Sequence, residues 1–307
     1  MRVVAFGGGH GLSASLQALR RLPGVEITAV LTVGDDGGSS GRLRAERGCL
    51  PPGDLRQALA ALADDDPVAQ ETAALFQHRF AGSDPLAGHA VGNLVLCALL
   101  ERYPDPVEAL DHAAMLVRAG GRVLPMSPVP VGIEAVIRRP DGGEETVRGQ
   151  HQVAVTVEQV ERVRISPDDP PACAEAVAAV AEADWLIFGP GSWYTSVIPH
   201  LLVPDLAKAI TASRAAKLVT LNLVAEKETA RLSLPDHLHA LTRYLPGLRV
   251  DVVLADSTAV GDPEPVRHAA RSLGAKLLLA PLAASVPGPR HDPVALAAAL
   301  SRLVRAG

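Results

Sequence analysis

Aromatic residues are scarce, at 3% of the chain. That scarcity argues against the stacked aromatic platforms on which single-stranded nucleic acids are bound. A positive excess is missing too: the net charge is −5 and the isoelectric point is near 6.1, so no global field is available to hold a polyphosphate backbone. Nucleic acid is therefore not an expected partner. Cysteine is limited to Cys49, Cys97 and Cys173, an odd number with no C-x-x-C pair, which excludes a disulfide framework and the usual zinc spacings. These thiols are expected to be reduced, in a cytoplasmic protein. The apolar stretch Val91–Leu100 falls short of the roughly 20 residues a membrane span needs, and Asn93 interrupts it. The start, Val3-Val4-Ala5-Phe6, reads as a strand rather than a secretory leader, so neither export nor a membrane segment is expected.

What is present is an Ala/Val/Leu-rich chain of 307 residues, 48% hydrophobic, long enough for a large core. Strand Arg2–Phe6, a glycine-rich turn, helix Leu12–Arg21 and strand Glu26–Val33 form a βαβ unit. Helical patterns follow at Leu55–Leu62, Ala69–Phe80, Ala90–Arg102 and Pro106–Val117, and make a helical cover over about 55–118. From 123 to about 165 the pattern alternates around the turn Asp141-Gly142-Gly143, a small β-hairpin excursion. Strands at Trp185–Phe188, Lys217–Asn222, Asp251–Ala255 and Lys276–Ala280 then alternate with helices up to a last one at Pro293–Arg305. The fold class expected is α/β: a Rossmann-like, doubly wound, mostly parallel sheet in a single domain spanning 1–307. Internal repeats and low-complexity tracts are missing.

Gly7-Gly8-Gly9-His10-Gly11 stands where the first strand turns into the first helix. Glycines there permit a tight turn and close backbone approach, while the helix N-terminus offers N–H groups, so Gly8, Gly9, His10 and Gly11 are candidate phosphate ligands. The bland reading is a sharp turn alone. No Gly-Lys-Ser/Thr follows, which excludes a Walker loop. Gly9-x-Gly11-x-x-Ala14 with Asp35-Asp36 also satisfies a loose dinucleotide fingerprint, so an NAD-binding protein is a rival. Against it stands Gly34–Arg42, which reads as a long polar loop rather than an immediate helix. Its Asp35 and Asp36 suit ribose hydroxyls or hydrated magnesium, its Ser39 and Ser40 an anion, and Arg42 the neutralising charge. A solvated turn explains the same residues.

Gly189-Pro190-Gly191-Ser192-Trp193-Tyr194-Thr195 repeats the strand, glycine turn and helix arrangement, and two such loops suggest a diphosphate held between them. Ser192 does not stand in a G-x-S-x-G elbow, and a hydrogen-bond donor or helix cap suits it better than a nucleophile. Asn93 could read a base or sugar edge, or serve buried backbone. Arg290, in Arg290-His291-Asp292, offers a cation to a phosphate, with Asp292 as an N-cap the plainer reading. Asp64-Asp65-Asp66 reads as a solvated loop. The remaining histidines form no recognisable metal cluster, so no metal site is expected.

The ordered set G-G-G-H-G-L-S at Gly7, T-V-G-D-D-G-G-S-S-G-R-L-R at Thr32, P-P-G-D-L-R at Pro51, G-H-A-V-G-N-L at Gly88 and G-P-G-S-W-Y-T-S-V-I-P at Gly189 closely resembles the YvcK-like gluconeogenesis-factor family, over essentially the whole chain. The resemblance implies a Rossmann-like protein that binds UDP-sugars such as UDP-N-acetylglucosamine and links carbon metabolism to cell-wall synthesis and cell shape. It brings no settled catalytic activity. A fold relation to 2-phospho-L-lactate transferase makes a magnesium-dependent transferase the enzymatic alternative, with Asp36 and Asp54 near the metal. Two departures stand out. After Thr220-Leu221-Asn222-Leu223 the chain reads Ala225-Glu226-Lys227-Glu228-Thr229 without the glycine-containing turn, and Pro293 replaces a phosphorylatable Thr found in some relatives.

The function expected is a cytoplasmic, non-catalytic nucleotide-sugar sensor. Gly8–Gly11 and Gly189–Thr195 would hold the diphosphate, Asp35, Asp36 and Asn93 the nucleoside or sugar, and Arg42 and Arg290 the charge, with Asp54 and Asn222 also expected at the ligand. No cofactor is required beyond magnesium accompanying a nucleotide. Partners expected are the UDP-sugar and a cell-wall-precursor enzyme or regulator; the resemblance suggests a homodimer.

Overall fold

The first strand, β1 (Arg2–Gly7), is from Val3 onward an unbroken buried run, as parallel strands covered by helices on both faces must be. In the computed structural model, which describes residues 1–285 and 288–304, it lies inside the main sheet, paired on both sides. Its neighbours are β2 (Glu26–Leu31) and β7 (Trp185–Phe188), both parallel to it. Beyond β2 lies β3 (Gly121–Pro125), and beyond β7 follow β8 (Ala216–Thr220), β9 (Val252–Asp256) and β10 (Lys276–Ala280). The seven-stranded order β3-β2-β1-β7-β8-β9-β10 is doubly wound, and the winding reverses between β1 and β7. The expected α/β class is what the chain adopts.

Helices α1 (Gly9–Leu19), α3 (Pro52–Leu62), α4 (Pro67–Gln77), α5 (Val91–Arg102) and α6 (Pro106–Leu116) accompany the first half. Helices α8 (Ala174–Glu182), α9 (Ile198–Leu202), α10 (Pro204–Ala212), α11 (Leu234–Tyr244), α12 (Pro263–Ser272) and α13 (Pro293–Val304) accompany the second. Under the sheet centre, Phe6 of β1 stacks on Phe188 of β7 at 4.8 Å. His200 of α9 packs edge-on against Phe6, its ring nitrogens facing the Val30 and Val197 carbonyls, and burial pushes its pKa down to about 4. It is a neutral core residue.

Three expectations need correction. The stretch read as a long polar loop contains a helix, α2 (Gly38–Arg47), closed by Gly48 in the left-handed region at φ 67°. Val123 belongs to β3 at the edge of the main sheet, so the excursion begins later, at β4 (Gly132–Arg138). With β5 (Glu144–Arg148) and β6 (Gln159–Ser166) it forms a three-stranded antiparallel sheet, β5-β4-β6, with helix α7 (Gln150–Val155) between the last two strands. Finally, the Asp64–Asp66 run is not merely solvated: Asp66 accepts from Ala69 N as the N-cap of α4, and Asp65 pairs with Arg20. The last helix was expected to reach Arg305, which lies outside the described residues. Among the described residues no helix is long and apolar enough to cross a membrane.

Candidate functional site

At the carboxyl edge of the sheet, where the winding reverses, the loops after β1 and β7 meet; open α/β sheets bind ligands in this crevice. They touch so closely that glycine is required. A Cβ on Gly11 would lie 2.2 Å from the Pro190 carbonyl oxygen, and Ser15 Oγ donates to the Gly189 carbonyl at 3.2 Å. Just after β8, Asn222 clamps the same loop twice, accepting from Gly191 N and donating to Gly191 O, both at 2.9 Å. Asn222, expected at the ligand, thus fixes the loop's backbone and also lines the cleft beside it.

Helix α1 starts without a side-chain cap on Gly8 and without an acid in its first turn, which leaves its positive end unneutralised from within. Beside that end opens a cleft of about 400 Å³, lined by His10, Gly11, Gly191, Asn222, Glu226 and the exposed Arg290. Asp292 caps α13 by accepting from Val294 N at 2.8 Å, which leaves neighbouring Arg290 free of that duty.

The second glycine loop turns out differently. After Gly189 and Gly191 the chain enters a π-helical turn, Trp193–Val197, continuing into α9. Tyr194 and Thr195, expected to hold phosphate, are 4% and 1% exposed. Tyr194 N donates to Glu228 Oε1 at 2.8 Å. The helix start is therefore occupied by the chain's own carboxylate. Burial raises the Glu228 pKa to about 7, against the pull of the Tyr194 and Thr195 groups it faces. Ser192 makes no side-chain cap and stays half-buried at the mouth of the turn.

On the other side of α1, an acidic floor forms where β2 ends. Asp54, in the first turn of α3, packs against Gly8, whose Cβ would lie 2.4 Å from Asp54 Oδ2 and 3.1 Å from Thr32 Oγ1. Gly53 makes room for Ser40 Oγ and Asp35 Oδ2 in the same way, at 2.4 and 2.9 Å. Burial, with Asp35 nearby, raises the Asp54 pKa to about 7, opposed by the Gly9 N–H and the Arg56 guanidinium. Thr32, Asp35, Ser40 and Asp54 are thus brought together beneath the α1 N-terminus.

Asp36 is not in that group. Its Oδ1 accepts from His151 N at 2.8 Å, and Gly149, at φ 97°, leaves space for its other oxygen. It ties α7 and the small sheet to the site, so the carboxylate facing Asp54 is Asp35 instead of the expected Asp36. Arg42 is also committed elsewhere, donating to Ala87 O at 2.7 Å. Arg44 takes the expected balancing role: it donates to Gly34 O at 3.0 Å, and Asp36 and Asp35 counter the burial that lowers its pKa. Ser39 bonds His89 Nδ1 and accepts from Asn93 Nδ2, each at 2.9 Å, in a buried network. Only the Asn93 carbonyl oxygen there is left without a partner.

Sequence reasoning overlooked Thr32, Arg44, Arg56 and Glu228. Thr32 and Arg56 sat inside quoted motifs, and Glu228 in the segment that departs from the family pattern. Among the described residues no three His, Cys, Asp or Glu side chains gather as a metal cage. Asp35 and Asp54 with the Thr32 and Ser40 hydroxyls nevertheless suit a magnesium ion that keeps waters and shares a bound phosphate.

Known proteins resemble this chain over most of its length. The pattern of the family described as 2-phospho-L-lactate transferase CofD matches residues 3–277. A putative gluconeogenesis factor of Mycobacterium tuberculosis is 50% identical over 306 residues, covering 97% of this chain and 89% of that protein. The gluconeogenesis factor of Bacillus subtilis is 37% identical over 262 residues, covering 85% and 80%. A crystal structure of a UPF0052-family protein from Bacillus halodurans superposes with a TM-score of 0.85 at 33% identity, covering 97% of this chain and 98% of the other.

Proposed function

The chain belongs to the CofD family, among the YvcK-like gluconeogenesis factors, and from that premise we propose that it is a cytoplasmic sensor of a nucleotide sugar such as UDP-N-acetylglucosamine. The observation that carries the reading is the start of α1, which opens onto the 400 Å³ cleft opposite the Asn222-clamped Gly191 loop with no acid in its own first turn, and with Arg290 in the same cleft. A diphosphate would be met there by backbone N–H groups and one guanidinium, and the sugar by the polar wall of Asn222 and Glu226. In this proposal the bound state is read by a protein of cell-wall precursor synthesis, and the sensor works as a homodimer without a resident cofactor.

The test is calorimetric titration of the protein with UDP-N-acetylglucosamine, UDP-glucose, NAD and GTP, with and without magnesium. UDP-sugar binding that falls about tenfold or more in Arg290→Ala, as expected for one charge-assisted contact, supports the reading. Tight NAD or GTP binding in place of UDP-sugars sinks it.

A second reading, a magnesium-dependent transferase, is favoured by one feature, the pairing of buried Asp54 with Asp35. Magnesium held there would neutralise phosphate charge. Asp35 and Asp54 would hold the ion, Thr32 and Ser40 would orient its waters, and Gly9 N–H would keep Asp54 turned toward the phosphate side. Turnover of the ligand, with magnesium dependence abolished in Asp35→Asn, would select this reading.

A further inference from the structure

A second cleft lies on the opposite side of α1 from Arg290, between α1, α3 and α4, with a volume of about 540 Å³. His10, Ser13 and Gln17 of α1 face both clefts and form the wall between them. The remaining wall is unusual in charge. Arg56 of α3 is 5% exposed, its stem passing so close to α5 that a Cβ on Gly92 would lie 2.8 Å from its Cγ. Its Nε and Nη1 are buried without a hydrogen-bond partner. Asp54 and Asp35 are near enough to act on it, yet among the described residues neither forms an ion pair or hydrogen bond with it. A second guanidinium, Arg79, lines the same cleft, held in place by donation to the Gly88 carbonyl.

Two guanidinium groups that repel one another, one of them almost wholly buried with Nε and Nη1 unpartnered, are an unfavourable arrangement unless an anion completes it. Burial and the neighbouring Arg79 both push the Arg56 pKa down, to about 10. The planar fork of arginine matches the oxygen spacing of phosphate and carboxylate, and Gln57 and Gln77 add neutral donors at the rim. The structure assigns this cleft as a second anion-binding site, centred on Arg56 and Arg79, for the phosphoryl or carboxylate group of a small metabolite. The site is separate from the nucleotide-sugar cleft, so one ligand on each side of α1 would press on the same three side chains, His10, Ser13 and Gln17. Occupancy of one cleft would thereby alter affinity in the other.

The experiment uses the full chain carrying Arg290→Gln, which disables the first cleft, and titrates inorganic phosphate and, separately, citrate by calorimetry without any nucleotide. Binding of either anion that weakens about tenfold or more on adding Arg79→Gln or Arg56→Met supports the site, and the anion that binds identifies the phosphoryl or carboxylate class. Arg56→Met also removes an unpartnered buried cation, so its melting temperature without anion should equal or exceed that of its parent. Arg79 is exposed, and its variant keeps the test decisive should Arg56→Met fold poorly. Absence of binding by both anions, or affinities unchanged by both added substitutions, overturns the inference. Neither result depends on whether a nucleotide sugar binds in the first cleft.

Discussion

The loops after β1 and after β7 read alike in sequence: a buried strand, clustered glycines and the start of a helix. Folded, they differ. The start of α1 meets the Asp54 carboxylate at Gly9 N–H on one side and still opens onto a cleft on the other, while the second helix start is buried and closed by Glu228 from another part of the chain. A glycine-rich turn specifies how closely backbones can approach. It does not specify what answers the helix N-terminus, because that partner arrives from elsewhere in the fold.

The contrast can be broken outright at the place where the loops touch. Gly11→Ala puts a Cβ against the Pro190 carbonyl, an atom of backbone that cannot swing aside, and is expected to cost about 3 kcal/mol in denaturant unfolding. Next in size, Glu228→Ala would strip the second helix start of the carboxylate that closes it. Loss of the carboxylate leaves Tyr194 N buried and unpaired, at a cost of about 2 kcal/mol, and added phosphate should recover part of it; no recovery would show that the helix start is closed by packing as well.

The comparison is sharpened more gently through pH. Glu228 titrates at about 7 in the fold, above its ordinary value of 4.5, so the folded state holds the proton more tightly than the unfolded one. Its stabilising contribution is whole below pH 4.5 and is lost as pH rises to about 7, after which it is flat. Asp54 acts with the same sign over 3.8 to about 7. Glu228→Gln should therefore flatten only part of the decline in melting temperature between pH 5 and 7, leaving the share due to Asp54.

Much of the framework was legible because parallel strands buried on both faces are short unbroken apolar runs. Trp185–Phe188 was located to the residue for that reason, and the half-buried edge strand Lys276–Ala280 by its run of three leucines. Helix α2 was not, since Gly38-Ser39-Ser40-Gly41 has the composition of a loop and is made helical by tertiary burial of Ser39, Ser40 and Leu43. Strand β3 was hidden by its glycine start and proline end. At the site, Gly8–Gly11, Asp35, Ser40, Asp54, Gly191 and Arg290 stand at or beside the crevice. Which of two adjacent aspartates faces inward was not legible, because only the folded positions of Gly53 and Gly149 decide it.

The interior position of β1 also sets a timetable for synthesis. Val3 pairs with Ile27 soon after both leave the ribosome, but its other neighbour, Trp185, is made much later. At about 5–20 residues per second the delay is roughly ten to forty seconds. Throughout it the first strand carries an unpaired edge, the kind of surface that invites chaperones or wrong partners. The nascent chain cannot be protected by the proposed first-cleft ligand in that interval, since the cleft that would receive it needs Gly191, Asn222 and Arg290 as well as His10.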